Sequence, residues 1–148
     1  MPGLEDLYRE IILDHYKNPR NRGHLDAPAV SAKGHNPLCG DEIEVFLLVE
    51  NGVVVDVKME GQGCSISQSS ASMMSTAVKG KSIDDVRNLV ARFRHMMSIE
   101  DDGPAPDTST PLGDLEALQG VVKFPVRIKC AVLAWNTLSE ALDRAVAP

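Results

Sequence analysis

The feature that most constrains this fold is a run of alternating apolar and polar residues on either side of an Asn-Gly pair. Every second side chain is apolar in residues 42–50, and residues 53–60 repeat the alternation. Asn51-Gly52 lies between the two runs, and both residue types tolerate the positive φ angles of a tight two-residue turn. The pattern therefore predicts an antiparallel β-hairpin with one apolar face that another layer must cover.

Helical periodicity before and after the hairpin provides that layer. Apolar residues recur three or four positions apart, and Ser82 and Pro125 are residue types that favour the start of a helix. We predict helices over residues 4–17 and 65–79, and two more that begin at Ser82 and at Pro125. The predicted fold class is α+β, a small antiparallel β-sheet with helices packed on one face.

Two segments lack any periodicity. Residues 19–38 contain many Gly, Pro, Asn and Arg residues, so we expect an extended connector over the surface. Residues 98–111 are rich in Asp, Pro and Gly, which predicts a flexible loop, followed by at most a short helix at 114–119. Because 148 residues suit one hydrophobic core, we expect a single domain over residues 1–148.

The charge of the chain limits its partners. A net charge of -6 argues against nucleic-acid binding and against a polybasic membrane anchor, since both need a basic surface. No stretch approaches the roughly 20 apolar residues of a membrane-spanning helix. The first residues lack the basic and apolar regions of a signal peptide, so we expect a cytoplasmic protein with reduced thiols.

Three cysteines, Cys39, Cys64 and Cys130, lie far apart in the sequence. Their odd number and wide spacing argue against a framework of disulfides. Each lies at or near an element boundary, and Cys64 directly precedes a predicted helix, whose N-terminus favours a thiolate. They are interpreted either as buried small side chains or as one shared metal site.

Cys39-Gly40-Asp41 favours the metal site. Gly40 permits a tight turn that brings a thiolate and a carboxylate into one small volume. Together with Cys64 and Cys130 they would offer zinc three sulfur ligands and one oxygen ligand. The spacing matches no standard zinc-finger pattern, so chemistry alone leaves both interpretations open.

Several ordered motifs resemble the IscU/NifU N-terminal family of iron–sulfur cluster assembly proteins, over nearly the whole chain. The motifs are Leu7-Tyr8, residues 12–16 and 18–21, Cys39-Gly40-Asp41, residues 61–67, Gly80-Lys81 and residues 124–130. The resemblance implies a compact sheet with helices and a three-cysteine site at one end. It also implies that Cys39, Asp41, Cys64 and Cys130 are the metal ligands.

Two departures resemble the SufU branch of that family. IscU-type scaffolds have a histidine before the last cysteine, whereas this chain has Lys129, and a protonated lysine has no lone pair for a metal. Residues 98–119 also look like an insertion relative to IscU. Asp41 then becomes the natural fourth ligand, and Arg127 is similar to the SufU pattern.

The SufU resemblance implies a zinc-binding sulfur acceptor that takes persulfide sulfur from a SufS-type cysteine desulfurase and serves iron–sulfur recipient or scaffold proteins. Cys39 would be the sulfur-accepting nucleophile, Gly40 its hinge, and Arg127 would position the loop or the partner. The protein would be a sulfurtransferase-like carrier. The alternatives are a scaffold that builds a 2Fe–2S cluster or binds iron, and a structural zinc protein that acts only as a binding module.

Other polar residues receive simpler interpretations. We expect His15 to serve packing or hydrogen bonding, and His35 is a weak candidate ligand. The serines between Ser65 and Ser72 have no accompanying His/Asp constellation in the sequence, so we expect capping and close packing rather than nucleophilic catalysis.

Overall fold

The computed structural model describes residues 4–38, 40–99 and 112–146, with side chains from residue 6 onward. The elements follow the order α1 (Leu4–Lys17), β1 (Val30–Asn36), β2 (Asp41–Glu50), β3 (Val53–Gln62), α2 (Ser65–Val78), α3 (Ile83–Met96), the 3₁₀ helix η1 (Gly113–Lys123) and α4 (Pro125–Val146). The three strands form one antiparallel sheet in the order β1-β2-β3. The α+β prediction is confirmed.

The predicted hairpin is β2–β3, with Asn51 and Gly52 at positive φ angles of 53° and 76°. Its apolar face differs from strict alternation in one place. Leu48 pairs with Asp56 and Val49 with Val54, so Val55 has no partner and forms a bulge. As a result Val54 is buried, whereas Val55 points outward with 37% exposure. Bulges depend on the partner strand, which the alternation did not reveal.

The expectation of a connector over residues 19–38 is wrong for its second half, because residues 30–36 form β1 at the edge of the sheet. The strand lacks the apolar alternation that would have predicted it. Gly34 explains how α4 crosses it closely, since a Cβ at this position would lie 2.1 Å from Thr137 Oγ1. Pairing with β2 and packing against α4 therefore stabilise a strand of weak intrinsic preference.

The helices cover one face of the sheet, and the core lies between them. Trp135 of α4 is fully buried and stacks on Phe93 of α3, with ring centroids 4.6 Å apart. Its indole Nε1 donates to Ser70 Oγ in α2, and that hydroxyl donates to the Ala131 carbonyl at 2.6 Å. The predicted packing role of the α2 serines is thus confirmed for Ser70, whose small size lets α2 and α4 approach.

The segment from 98 to 119 lies largely outside the described residues, which omit 100–111. Its last part belongs to η1, which is longer than the predicted short helix. Leu115, Leu118 and Val121 of η1 are buried against the core. No helix within the described ranges combines the length and the hydropathy that a membrane span requires.

Candidate metal centre

Asp41 is the first residue of β2, and its side chain is fully buried. Gly40 before it has a φ of +69°, which fits the tight turn predicted for Cys39-Gly40-Asp41. Asp41 Oδ1 accepts a hydrogen bond from the Cys64 backbone N–H at 2.9 Å. No lysine or arginine of the described ranges forms an ion pair with this carboxylate. A buried carboxylate without a cationic side chain is a natural ligand for a metal ion.

Cys64 is the N-cap residue of α2 and follows the Gly61-Gln62-Gly63 segment, so its predicted position directly before a helix is confirmed. Its sulfur accepts a hydrogen bond from the Ser67 backbone N–H at 3.5 Å and lies 3.9 Å from Asp41 Oδ2. The half-buried side chain therefore lies at the N-terminus of α2, beside the buried carboxylate of Asp41.

Cys130 lies early in α4 and is almost fully buried, with 1% exposure. Its thiol donates to the Val126 carbonyl at 3.8 Å and receives a hydrogen bond from Asn36 Nδ2, also at 3.8 Å. Its side chain faces the end of the sheet, where Asp41 begins β2.

Asp41, Cys64 and Cys130 converge at one end of the sheet. One ligand atom from each lies within 4.8 Å of the other two, and this is the only such group of three among the described residues. Cys39, the fourth predicted ligand, lies outside those residues. Two sulfurs and one oxygen fit zinc, which accepts both donor types. His35 is not part of the group.

Two members of the group, Cys64 and Cys130, border a cleft of about 530 Å³. Cys64 and Cys130 line this cleft together with Ser65, Ile66 and residues 123–127. Arg127 lies at its wall, and its guanidinium is held 5.0 Å from the Phe124 ring centre, so a residue with a positive charge is part of the cleft lining. Lys129 is exposed, and it does not line this cleft.

Asn36 is the residue of this site that sequence analysis missed. It ends β1, pairs with Asp41 across the sheet and has only 6% exposure. Asn36-Pro37 is a dipeptide typical of an exposed turn. The sequence therefore provided no reason to expect that the Asn36 side chain is buried against Cys130. Its only signal in the sequence was its position three residues before Cys39.

A Ser–His–Asp constellation does exist, contrary to the expectation from the sequence. His15 Nδ1 lies 2.8 Å from Ser72 Oγ, and Nε2 lies 3.0 Å from Asp114 Oδ2. Ser72 is fully buried and also accepts a hydrogen bond from the Arg20 backbone N–H. Substrate cannot reach this hydroxyl, so the predicted hydrogen-bonding role of His15 is confirmed and nucleophilic catalysis is not supported.

Comparison with known proteins agrees with this architecture. The chain is 48% identical to the zinc-dependent sulfurtransferase SufU of Bacillus subtilis, over 95% of this chain and 92% of that protein. It is 39% identical to the iron–sulfur cluster assembly scaffold protein IscU of Thermotoga maritima, over 96% of each chain.

A solved structure is similarly close in fold. The putative iron–sulfur cluster assembly scaffold protein for the SUF system from Fervidobacterium islandicum superposes with a TM-score of 0.81 at 33% identity, covering 95% of this chain and 99% of that one. The model of the NifU-like N-terminal domain matches residues 7–131. With the sheet, the helices and the ligand group in the same chain, this protein belongs to the family of NifU-like N-terminal domains.

Proposed function

We propose that the protein is a zinc-binding sulfur acceptor of iron–sulfur cluster assembly, which takes persulfide sulfur from a SufS-type cysteine desulfurase and passes it to assembly proteins. The observation that carries the proposal is the convergence of Asp41, Cys64 and Cys130 at one end of the sheet, beside a cleft that the two cysteines line. The family of relatives supports cluster assembly, and the similarity to a sulfurtransferase named zinc-dependent supports the acceptor role.

The donor set fits zinc, with Asp41, Cys64 and Cys130 as three ligands and Cys39 as the fourth. Bound zinc would keep the thiols deprotonated at neutral pH. Backbone N–H groups hold Asp41 and Cys64, and Cys130 is fixed early in a long helix. Cys39 lies between β1 and β2 in the sequence, directly before Gly40, so we assign the exchangeable thiolate to it, with Gly40 as the hinge.

Sulfur transfer is then a thiol exchange. The Cys39 thiolate attacks the terminal sulfur of the partner's persulfide, a new S–S bond forms on Cys39, and the S–S bond of the partner breaks. The partner leaves as a thiolate, so the step needs no additional oxidant or reductant. Arg127 lies at the cleft wall, where its charge would attract the anionic persulfide.

Two alternatives remain distinct in their chemistry. A scaffold role is favoured by the relatives named IscU, and it would use the same three cysteines for a 2Fe–2S cluster or iron. A purely structural zinc protein would need no cleft beside the ligands. Exposed Lys129 offers no ligand for a metal, which favours the acceptor over the scaffold.

Anaerobic purification followed by metal analysis and a visible spectrum separates these roles. We expect a colourless protein with about one zinc per chain, the number that one tetrahedral site holds. A brown protein containing iron and sulfide would refute the acceptor role and favour the scaffold.

Serine variants test the assignment of roles. After reaction with a cysteine desulfurase and cysteine, mass spectrometry should find added sulfur on wild type and none on Cys39→Ser. Asp41→Ala is the matched variant that weakens the metal site without removing a thiol. If Cys39→Ser kept full sulfur acceptance while Cys64→Ser lost it, the nucleophile would be Cys64.

A further inference from the structure

Among the described residues, the Asn36 side chain makes two hydrogen bonds, one to Cys130 and one to the backbone two residues before Gly40. Its Oδ1 accepts from the Leu38 backbone N–H at 3.2 Å, and its Nδ2 donates to Cys130 Sγ at 3.8 Å. The orientation of the amide follows from these partners, because an N–H group can only face the oxygen. The amide therefore connects the turn after β1 with a sulfur of α4.

The placement of Asn36 relates it to three predicted ligands. It is the pairing partner of Asp41 in the sheet, it contacts Cys130, and it holds Leu38, the residue before Cys39. At 6% exposure, an amide without hydrogen-bond partners would destabilise the fold, so its two hydrogen bonds are part of the folded structure.

An N–H donor on sulfur has a chemical consequence. It stabilises the thiolate and lowers its reactivity, and partners of metal ligands hold the ligands in the geometry that the metal needs. Cys64 receives such a bond from the Ser67 backbone, and Cys130 receives it from Asn36. A backbone donor cannot be removed by a side-chain substitution, whereas Asn36 can be changed.

We propose that Asn36 is a positioning residue of the centre, which keeps the Cys130 sulfur in place and ties down the turn before Cys39. Cys130 would then remain a zinc ligand while the Cys39 thiolate leaves the zinc to react with the persulfide. The inference rests on the proposed zinc-binding function. It adds a residue that accounts for why Cys130 stays a ligand while Cys39 exchanges.

Two substitutions separate the two hydrogen bonds. Asn36→Asp has the same size and keeps an oxygen for the Leu38 N–H, but it replaces the donor to Cys130. Asn36→Ala removes both bonds. Thr137→Ala is the matched control, because Thr137 is a buried polar residue of α4 whose hydroxyl donates to the Leu133 carbonyl of its own helix at 2.8 Å.

The measurement is the alkylation rate of each cysteine in the zinc-loaded protein at pH 8, by iodoacetamide and peptide mass spectrometry. In wild type we expect Cys39 to react first. Asn36→Asp should raise the alkylation rate of Cys130 about tenfold, because removing the hydrogen-bond partner of a metal ligand has effects of about 10–100-fold. The alkylation rate of Cys64 should stay within about twofold of wild type. Asn36→Ala should raise the alkylation rates of both Cys130 and Cys39. Thr137→Ala should leave the alkylation rates of the three cysteines at their wild-type values relative to one another.

Zinc competition with a chromophoric chelator gives an independent measurement, and both Asn36 variants should bind zinc about 10–100-fold more weakly. A Cys130 rate within twofold of wild type in Asn36→Asp would overturn the proposal. An equal rise at all three cysteines would also overturn it, because that is the effect of a loosened fold. If Asn36→Ala does not fold, Asn36→Asp carries the test.

The outcomes distinguish this inference from the proposed function. Alkylation and zinc competition require no desulfurase. A wild-type protein that binds zinc and accepts no sulfur refutes the acceptor role and leaves the alkylation result intact. A protein that accepts sulfur while Cys130 is unaffected by Asn36→Asp refutes the role of Asn36 alone.

Discussion

Gly63 determines how closely β3 and α2 can approach the candidate ligands. A Cβ at this position would lie 2.3 Å from Asp41 Oδ1 and 2.7 Å from Ser67 Oγ. Real Cβ atoms do not come this close to other heavy atoms, so any side chain must displace the buried carboxylate. Gly63 is therefore required for steric reasons, since it leaves room for the Asp41 carboxylate, in addition to its place in the turn between β3 and α2.

Gly63→Ala should therefore weaken zinc binding by about 10–100-fold, because it moves a ligand rather than removing one. Zinc competition with a chromophoric chelator measures the effect. Gly120→Ala is the control, since a Cβ at Gly120 meets nothing within 4 Å. Unchanged zinc affinity in Gly63→Ala would exclude Asp41 from the ligand set.

At the scale of elements, His15 joins three helices. It lies on α1, contacts Ser72 of α2 and reaches Asp114 at the start of η1. Since η1 leads directly into Pro125 and α4, this link supports the segment that forms the wall of the cleft. The hydrogen bonds of His15 therefore allow α1, which contributes no candidate ligand, to support the wall of the cleft.

His15→Ala should destabilise the fold by about 2 kcal/mol and lower Tm by roughly 4–8 °C, because it removes two hydrogen bonds and packing at a buried position. Thermal unfolding followed by circular dichroism measures the change. His95→Ala, at an exposed position of α3, should shift Tm by far less. Equal shifts in the two variants would show that the three-helix link contributes nothing specific.

At the scale of the whole molecule, the candidate ligands come from different parts of the chain. Asp41 starts β2, Cys64 caps α2 and Cys130 lies in α4. A metal ion bound by all three connects the sheet to two helices, and binding to the folded state alone stabilises it in proportion to affinity. Stability should therefore depend on zinc.

Excess zinc, at a free concentration near 1,000 times Kd, should raise the free energy of unfolding of the metal-free protein by about 4 kcal/mol. Calorimetry with and without a chelator measures the shift in Tm. Cys64→Ser should show a much smaller rise than wild type. A Tm that does not respond to zinc in wild type would contradict a shared site.

Local patterns predicted much of this architecture. The hairpin, the four long helices and the capping position of Cys64 depend on periodicity, turn residues and caps, which act over a few neighbouring residues. Asn51-Gly52 is a good example, since its turn preference holds in any context. The branch of the family also followed from single positions such as Lys129.

Other features depend on partners distant in the sequence. The strand character of β1 arises from pairing with β2 and from the close crossing of α4 at Gly34. The bulge at Val55 depends on the register of the opposite strand. The buried contacts of Asn36 with Cys130 join residues that are neighbours only in the folded chain.

The sequence alone thus predicted which residues would form a metal site, because thiols, a carboxylate and a glycine turn are recognisable wherever they occur. Tertiary structure decided which of them meet. It brought Asp41, Cys64 and Cys130 within 4.8 Å, added Asn36 to that group and enclosed Ser72 where no substrate can reach it. The physical reason is that burial and contact distance belong to the packed core, whereas residue type and local periodicity belong to the sequence.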